Sequence, residues 1–240
     1  MFKSLKKPRF PHLIFICASL AALILLPVLV LTLKAMIAPA SPITDKYFLK
    51  EQPLNDPLVT KIPDLKDILS GPIITEADPS VGPEDAPITI VQFSDFKCSF
   101  CQKQEEVLKN ILDEFDGKIR LVWKDYPEND SQSMSWKASI AARCAEEQDK
   151  FWPYHDLLFS TTKLDEEKLL DFAGKLSLNK NKFQACLESN DISNKVKDNV
   201  LEADALDING VPYIYVNDTE FIGEITAEEL RTVINSKLKS

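Results

Sequence analysis

Glycine is scarce in this chain, at 6 of 240 residues. Glycine is the residue that most readily adopts left-handed backbone conformations, so its scarcity favours a fold rich in helices. The sequence also lacks an internal repeat and a low-complexity tract. A chain of this length can form one sizeable domain with appendages, and its ordinary apolar and charged fractions are typical of a globular protein.

An excess of basic charge is absent as well. The formal net charge is −9, and the charge is segregated along the chain. Five of the 28 basic residues and none of the 37 acidic residues lie in residues 1–34, so the remainder carries −14. An acidic body repels a phosphate backbone, which argues against a nucleic-acid partner and indicates a solvated acidic surface.

A long apolar run occurs near the N-terminus. It extends from Leu13 to Leu33, and its 21 residues are enough to cross a bilayer as a helix. Residues 1–12 are basic, so this tail is predicted to stay cytoplasmic. The sequence therefore predicts a single transmembrane anchor at residues 13–33 and a proline-rich stalk at residues 34–80. A signal peptide ending at Ala38-Pro39-Ala40 is the alternative, although its apolar core would normally be shorter.

Beyond the stalk, the hydrophobic pattern predicts an α/β domain. A strand, a helix and a strand are followed by several helices, a hairpin and a last helix. The corresponding residues are 88–93, 102–115, 119–123, 131–206, 213–222 and 226–238. This order divides the domain into a first α/β part (81–130), a helical insertion (131–206) and a second α/β part (207–240).

The chemistry centres on Cys98-Ser99-Phe100-Cys101, where the first strand hands over to the first helix. Two cysteines at this spacing and place predict a redox-active dithiol. Cys98 lies at a helix N-terminus, where free N–H groups and the helix dipole stabilise a thiolate and lower the thiol pKa. Cys101, one turn later, is predicted to be more buried and to resolve mixed disulfides. The intervening Ser99 and Phe100 are expected to tune the redox potential.

Two further cysteines of the domain, Cys144 and Cys186, stand singly. A zinc site formed with the dithiol is one alternative, but zinc ribbons usually pair two CxxC knuckles, so no metal is predicted. Two free, buried core thiols are the second alternative. The even number of cysteines outside the apolar run fits an oxidising compartment, and we therefore favour a structural disulfide between Cys144 and Cys186. His155 is assigned to packing rather than to catalysis.

The ordered set of motifs resembles the DsbA-like thiol–disulfide oxidoreductases of bacterial cell envelopes. The resemblance covers roughly residues 80–238. The segments that carry it are Val81-Gly82-Pro83-Glu84-Asp85-Ala86-Pro87, Ile90-Val91-Gln92-Phe93-Ser94-Asp95-Phe96, the CxxC itself, Phe151-Trp152-Pro153-Tyr154-His155-Asp156-Leu157-Leu158-Phe159 and Gly210-Val211-Pro212. It implies a thioredoxin-like fold with an inserted helical domain. It also implies a cis bond before Pro212, facing the CxxC, with the backbone of Val211 free to pair with an extended substrate.

One departure from the family pattern concerns proton transfer. Six residues before the first cysteine, the family usually has a buried acid that assists proton transfer to the second cysteine. Here that position holds Gln92, which cannot act as a base. Lys124 and Glu224 are the candidates to compensate for it.

The resemblance implies an enzyme without a cofactor. Its expected function is to donate the Cys98–Cys101 disulfide to exported proteins through a mixed disulfide on Cys98. A quinone-linked membrane oxidase, DsbB-like or similar to vitamin K epoxide reductase, would reoxidise it. The protein is expected to be a monomer, with its catalytic domain on the extracytoplasmic side of the cell membrane. A disulfide reductase or isomerase, and a non-catalytic peptide-binding chaperone module, remain the alternatives.

Overall fold

The computed structural model describes residues 69–239, and within them it has five strands and seven helices. A short first strand, which was not predicted, precedes the predicted order of strand, helix, strand, several helices, hairpin and last helix. The elements are β1 Ser80–Val81, β2 Ile88–Ser94, α1 Ser99–Glu114, β3 Ile119–Asp125, α2 Met134–Glu146, α3 Phe151–Phe159, α4 Glu166–Lys175, α5 Lys180–Leu187, α6 Asn190–Ala205, β4 Tyr213–Val216, β5 Thr219–Ile222 and α7 Ala227–Lys237.

The strands form one mixed sheet in the order β1-β3-β2-β4-β5. The central strands β2 and β3 run parallel, in register from Ile88 opposite Ile119 to Ser94 opposite Asp125. The other neighbouring pairs are antiparallel. Because β2 and β3 are covered on both faces, each is a nearly continuous apolar run rather than an alternating one. This is the thioredoxin-like α/β sheet that the family resemblance implied.

Alternate residues of the central strands serve the two faces of the sheet. Ile88 and Ile90 of β2 pack with the apolar faces of α1 and α7 in one core cluster. Val91 and Phe93 pack on the opposite face, in a cluster that includes Ala203 of α6. This alternation decides which polar residues of β2 and β3 approach the dithiol.

The helical insertion fills the predicted segment between β3 and β4. Three of its five helices, α2, α4 and α5, begin at side-chain caps, in which Ser133, Asp165 and Asn179 each accept a backbone N–H from the first turn. Helix α2 lies in the middle and packs against α3, α4, α5 and α6. Its buried alanines allow this close approach from several sides, so α2 is the spine of the insertion. They are Ala138, Ala141, Ala142 and Ala145.

The stalk predicted for residues 34–80 is wrong over its last part. Residues 69–80 pack on the domain, with Leu69 and Asp78 buried. The backbone of Ile73 donates to Glu202 and accepts from Lys124, and β1 pairs with β3. The composition suggested a linker, but specific buried contacts fix this segment.

The remaining N-terminal predictions fall outside the described residues. These are the basic tail at 1–12, the anchor or signal segment at 13–33 with its cleavage site, and the stalk over residues 34–68. Across residues 69–239, no helix combines the length and the hydropathy needed to span a bilayer.

Candidate active site

Cys98 lies at the turn between β2 and α1. The strand ends at Ser94, and the Asp95 carboxylate then accepts the backbone N–H of Lys97 at 2.8 Å, which closes the turn. Cys98 is the N-cap of α1, with an extended backbone, and its Sγ accepts the N–H of Cys101 at 3.1 Å. A sulfur therefore occupies the place where Ser, Thr or Asp usually caps a helix.

This environment lowers the pKa of Cys98 to about 6. The largest cause is the hydrogen bond from the Cys101 thiol, and burial of the sulfur opposes it. The backbone N–H groups of Cys101 and Phe100 lower the pKa further, while the nearby Asp95 carboxylate raises it. Cys98 is therefore largely a thiolate at neutral pH.

Cys101 has the opposite character. Its side chain is 0% exposed, and burial raises its thiol pKa far above the ordinary range. Its hydrogen bond to Cys98 acts in the same direction, whereas the Ser94 hydroxyl lowers the pKa. Both thiols are free in the structure, so they form a pair with one ionised nucleophile and one protonated partner.

The loop before β4 completes the site. β4 pairs antiparallel with β2 and places Tyr213 opposite Phe93, so the preceding residues reach the end of β2 where α1 begins. The bond between Val211 and Pro212 is cis, and the carbonyl oxygen of Val211 lies 3.6 Å from Cys98 Sγ. The structure thus brings both substrate-binding candidates beside the reactive sulfur.

The two residues between the cysteines face outward. Phe100 is 55% exposed, with Lys103 Nζ 5.2 Å from the centre of its ring, and Ser99 is exposed. An exposed aromatic ring beside a nucleophilic sulfur offers an apolar contact to an incoming polypeptide.

Neither candidate for the missing acid lies in the site. Lys124 neighbours Phe93 in the β2–β3 register, so it points to the face of the sheet away from Gln92 and Trp123. There its Nζ is buried between Asp78 and Glu202, at 2.9 Å from each. Glu224 is exposed at the surface and pairs with Lys103 at 3.6 Å.

Gln92 instead binds a carboxylate that the sequence reasoning missed. Its Nε2 donates to Glu105 Oε1 at 2.7 Å. Glu105 lies on α1, four residues after Cys101, and its side chain is 13% exposed. An acid one helical turn after the second cysteine was the available sequence signal.

His155, which the sequence assigned to packing, is buried and also has carboxylate partners. Its Nε2 lies 3.4 Å from Glu105 Oε2, and its Nδ1 lies 3.1 Å from Asp156 Oδ1. Burial lowers the pKa of His155, yet the carboxylates of Glu105 and Asp156 outweigh burial and raise it to about 9. Five aromatic rings surround the imidazole at centroid distances of 4.9 to 6.0 Å, from Phe96, Trp123, Phe151, Trp152 and Phe159.

Cys144 and Cys186 are joined in a disulfide that links α2 to α5, with Cα atoms 5.7 Å apart. Their sulfurs are therefore not available as thiolate ligands, which removes the zinc alternative built on four cysteines.

Comparison with known proteins identifies the family to which this architecture belongs. The thioredoxin family model matches residues 75–236 of the chain. The chain belongs to the thioredoxin family. The match begins before residue 81, in agreement with the folded segment at residues 69–80. The DsbA-like character inferred from the sequence is also confirmed, since relatives named for disulfide bond formation match 67% of this chain.

Proteins similar to this chain differ in how much of their own length the similarity covers. A probable disulfide bond formation protein D from Bacillus anthracis is 29% identical over 171 residues, which cover 67% of this chain and 78% of that protein. The crystal structure of oxidised BdbD from Bacillus subtilis has a TM-score of 0.62 at 23% identity, over 69% of this chain and 95% of that one, and this likeness shows the fold. A Na⁺/H⁺ antiporter NhaA 3 from Salinispora tropica is 30% identical over 170 residues, which are 70% of this chain. The chain spans 26% of that antiporter's length.

Proposed function

We propose that this protein is a membrane-tethered thiol–disulfide oxidoreductase that donates its Cys98–Cys101 disulfide to exported proteins. The observation that carries the proposal is the division of labour between the two thiols. Cys98 is partly accessible beside the Val211 carbonyl and has a pKa of about 6, whereas Cys101 is buried and protonated. A site that stabilises the Cys98 thiolate favours the reduced form, which makes the oxidised form a good oxidant.

The reaction follows from this arrangement. A substrate thiolate attacks Cys98 Sγ, the Cys98–Cys101 bond breaks, and Cys101 leaves and takes up a proton. The second substrate thiolate then attacks the substrate sulfur of the mixed disulfide, and Cys98 leaves as a stabilised thiolate. The substrate loses two electrons and the enzyme gains them.

The electron balance of these steps changes the role predicted for Cys101. Attack by Cys101 on a substrate mixed disulfide only returns the oxidised enzyme and the reduced substrate. Its productive attack occurs when the enzyme is reoxidised, on the mixed disulfide that Cys98 forms with the recycling oxidant.

The surroundings of the site support a polypeptide substrate. The Val211 backbone and the exposed Phe100 ring flank Cys98, so an extended segment can lie beside the sulfur. The name of the Bacillus anthracis relative, a probable disulfide bond formation protein D, agrees with donation rather than reduction. Because the electrons pass between sulfur atoms, the reaction requires no bound cofactor.

The cellular setting is part of the proposal. We infer that residues 13–33 anchor the protein in the cell membrane with the domain on the extracytoplasmic side, and that it acts as a monomer. A quinone-linked membrane oxidase, DsbB-like or similar to vitamin K epoxide reductase, is the proposed recycling partner. The Cys144–Cys186 disulfide is compatible with an oxidising compartment.

The reduction potential of the Cys98–Cys101 pair tests the direction of transfer. Donation requires a potential nearer to that of DsbA, about −120 mV, than to that of thioredoxin, about −270 mV. Equilibration with glutathione gives the potential, and oxidative refolding of a reduced, disulfide-requiring protein gives the activity. Cys98→Ser removes the dithiol, so it should abolish both the glutathione-dependent equilibrium and the refolding activity. A potential near that of thioredoxin would point to a reductase, and wild-type protein that exchanges no disulfide would point to a chaperone module.

A further inference from the structure

The buried thiol of Cys101 poses a problem of proton transfer. In each catalytic cycle Cys101 must gain a proton when it leaves the disulfide and lose it when the disulfide re-forms. Its side chain is 0% exposed, and its pKa is raised by burial, so the proton needs a nearby carrier. On the sheet beneath α1, the candidate position holds Gln92, whose amide cannot accept a proton at neutral pH.

The side chain of Gln92 on β2 binds a carboxylate that belongs to α1. Its Nε2 donates to Glu105 Oε1 at 2.7 Å. Residues four apart on a helix are neighbours on its surface, so Glu105 lies next to Cys101 along the side of α1 that borders the sheet. Among the described residues, the other end of the amide, Gln92 Oε1, is buried without a hydrogen-bond partner. A buried amide with this orientation serves to hold Glu105.

His155, on the helical insertion, is the second group that contacts the Glu105 carboxylate. Glu105 Oε2 lies 3.4 Å from His155 Nε2, an ion-pair distance, while Oε1 takes the Gln92 amide. The charged groups around His155 are Glu105 from α1 and Asp156 from its own helix, with Lys109 of α1 acting on Asp156. Five aromatic rings also lie within 6.0 Å of the imidazole, centre to centre, so the pair is shielded on the inner side.

The pair also has an outlet to solvent. A surface groove of about 330 Å³ is lined by Gln102, Glu105, Lys109, His155 and Asp156, among other residues. Glu105 therefore lies one helical turn from Cys101 and borders a groove that is open to solvent.

We propose that Glu105 exchanges the proton of Cys101, with Gln92 and His155 as its positioning residues. This inference rests on the proposed function. In the reoxidation step, Glu105 takes the Cys101 proton, the Cys101 thiolate attacks Cys98 Sγ, and the sulfur of the oxidant leaves with the electron pair of the broken bond. In donation the proton returns from Glu105 to the departing Cys101 sulfur. The acid absent from position 92 is thus supplied by the active-site helix.

A two-phase reaction with dithiobis(nitrobenzoate) separates this step from the rest of the chemistry. The protein is the full chain in which Cys17, the cysteine of the N-terminal apolar run, is replaced by serine (Cys17→Ser). It is reduced so that Cys98 and Cys101 are its free thiols while Cys144–Cys186 stays closed. Cys98 attacks the reagent and releases one coloured thionitrobenzoate. Cys101 then attacks Cys98, releases the second and closes the disulfide, so the reagent gains the two electrons that the enzyme loses.

Glu105→Gln should slow the second phase at neutral pH by about tenfold or more, because general acid–base catalysis commonly contributes at least this much. The first phase should stay within about twofold of the reference. The matched control is Glu106→Gln, which removes an exposed acid from the same helix and the same groove and should change neither phase. The double variant Glu105→Gln with Gln92→Glu carries a carboxylate on β2 instead of α1 and should restore the second phase.

The outcomes distinguish a failure of the role proposed for Glu105 from a failure of the proposed function. A second phase in Glu105→Gln within about twofold of the reference would overturn the role of Glu105. Equal slowing of both phases, or a slow second phase that Gln92→Glu does not restore, would show that Glu105 acts through the fold and would also overturn it. If the reference protein itself fails to release the second thionitrobenzoate, the dithiol does not close and the proposed function fails instead.

Discussion

Cys98 is a nucleophile because of where the backbone turns. The first N–H groups of a helix lack partners within the helix, and here a sulfur takes the N–H of Cys101 at 3.1 Å. The Cys101 thiol stabilises the same sulfur, while burial and the Asp95 carboxylate oppose ionisation. The ionisation of Cys98 therefore depends on opposing contributions, and those of the Cys101 thiol and the Asp95 carboxylate can be removed separately by substitution.

The titration of Cys98 should follow this balance. In the reduced Cys17→Ser protein, we expect the ultraviolet absorbance of the thiolate to rise with a midpoint near pH 6, well below the ordinary value of 9.0. Cys101→Ala should raise this midpoint because it removes the largest stabilising contact, and Asp95→Asn should lower it because it removes a negative charge. Alkylation with iodoacetamide and peptide mapping should find Cys98 modified first. Preferential labelling of Cys101 would contradict the assignment.

Residue roles differ in how far the sequence can reveal them. Cys98 and Cys101 follow from local spacing, because both belong to one helical turn at a strand end. The place of Lys124 depends on which face of β3 its side chain takes, and a shift of one residue in a strand reverses that face. The contact between Glu105, Gln92 and His155 joins three separate elements, so no local pattern contains it.

At the scale of elements, one buried lysine ties the segment before β1 to the domain. Lys124 on β3 holds the Ile73 carbonyl and Asp78 on one side and Glu202 of α6 on the other. Residues 69–80 are consequently part of the folded unit. Proline content indicated a stalk because composition does not record such long-range contacts.

Replacing Lys124 should therefore be costly. Lys124→Met leaves two buried carboxylates without their cation, and we expect the free energy of unfolding to fall by about 3–5 kcal/mol. The matched control is Lys137→Met, which removes an exposed pair with Glu166 and should cost about 0–1 kcal/mol. Urea denaturation of both variants measures the difference. Equal losses in the two variants would mean that Lys124 does not hold the segment.

The disulfide of the insertion gives a second prediction at this scale. Cys144 and Cys186 are separated by 42 residues and fasten α5 to α2. Closing a loop of this length stabilises by about 3–4 kcal/mol in the chain-entropy model, so Cys144→Ala with Cys186→Ala should lower the free energy of unfolding by up to that amount. Thiol exchange at Cys98 should persist, because neither residue lies at α1. Loss of exchange in a variant that remains folded would contradict a purely structural role.

At the scale of the whole molecule, the sheet and the insertion each supply part of the site. β2 and α1 present the dithiol, and the antiparallel return of β4 brings the Val211–Pro212 loop to it. The insertion adds His155 and three of the five aromatic rings around it, Phe151, Trp152 and Phe159. The order of the main elements could be predicted because strand and helix periods are local, and the resemblance to a known family then implied the architecture. The docking of the insertion was not predictable, since it depends on contacts between distant helices.

The redox state of the dithiol should control the stability of the whole domain in a pH-dependent way. In the reduced protein the pKa of Cys98 falls from an ordinary value of 9.0 to about 6 on folding, and in the oxidised protein this thiol does not exist. A lowered pKa contributes stability that is fully present above the unfolded value and is lost as the pH falls through the folded value. We therefore expect the free energy of unfolding of the reduced form, minus that of the oxidised form, to be flat below pH 6 and to rise between pH 6 and pH 9.

Denaturant titrations of both redox forms across this range measure the difference. Groups such as His155 titrate in both forms, so their contributions largely cancel, and the constraint that the disulfide places on the unfolded chain does not depend on pH. Asp95→Asn should move the start of the rise to lower pH, in step with the lower pKa expected for Cys98. A difference that stays constant from pH 6 to pH 9, or that falls, would show that thiolate stabilisation is not what favours the reduced form. The case for disulfide donation would then lose its physical basis, because a dithiol without a stabilised thiolate is no stronger an oxidant than an ordinary one.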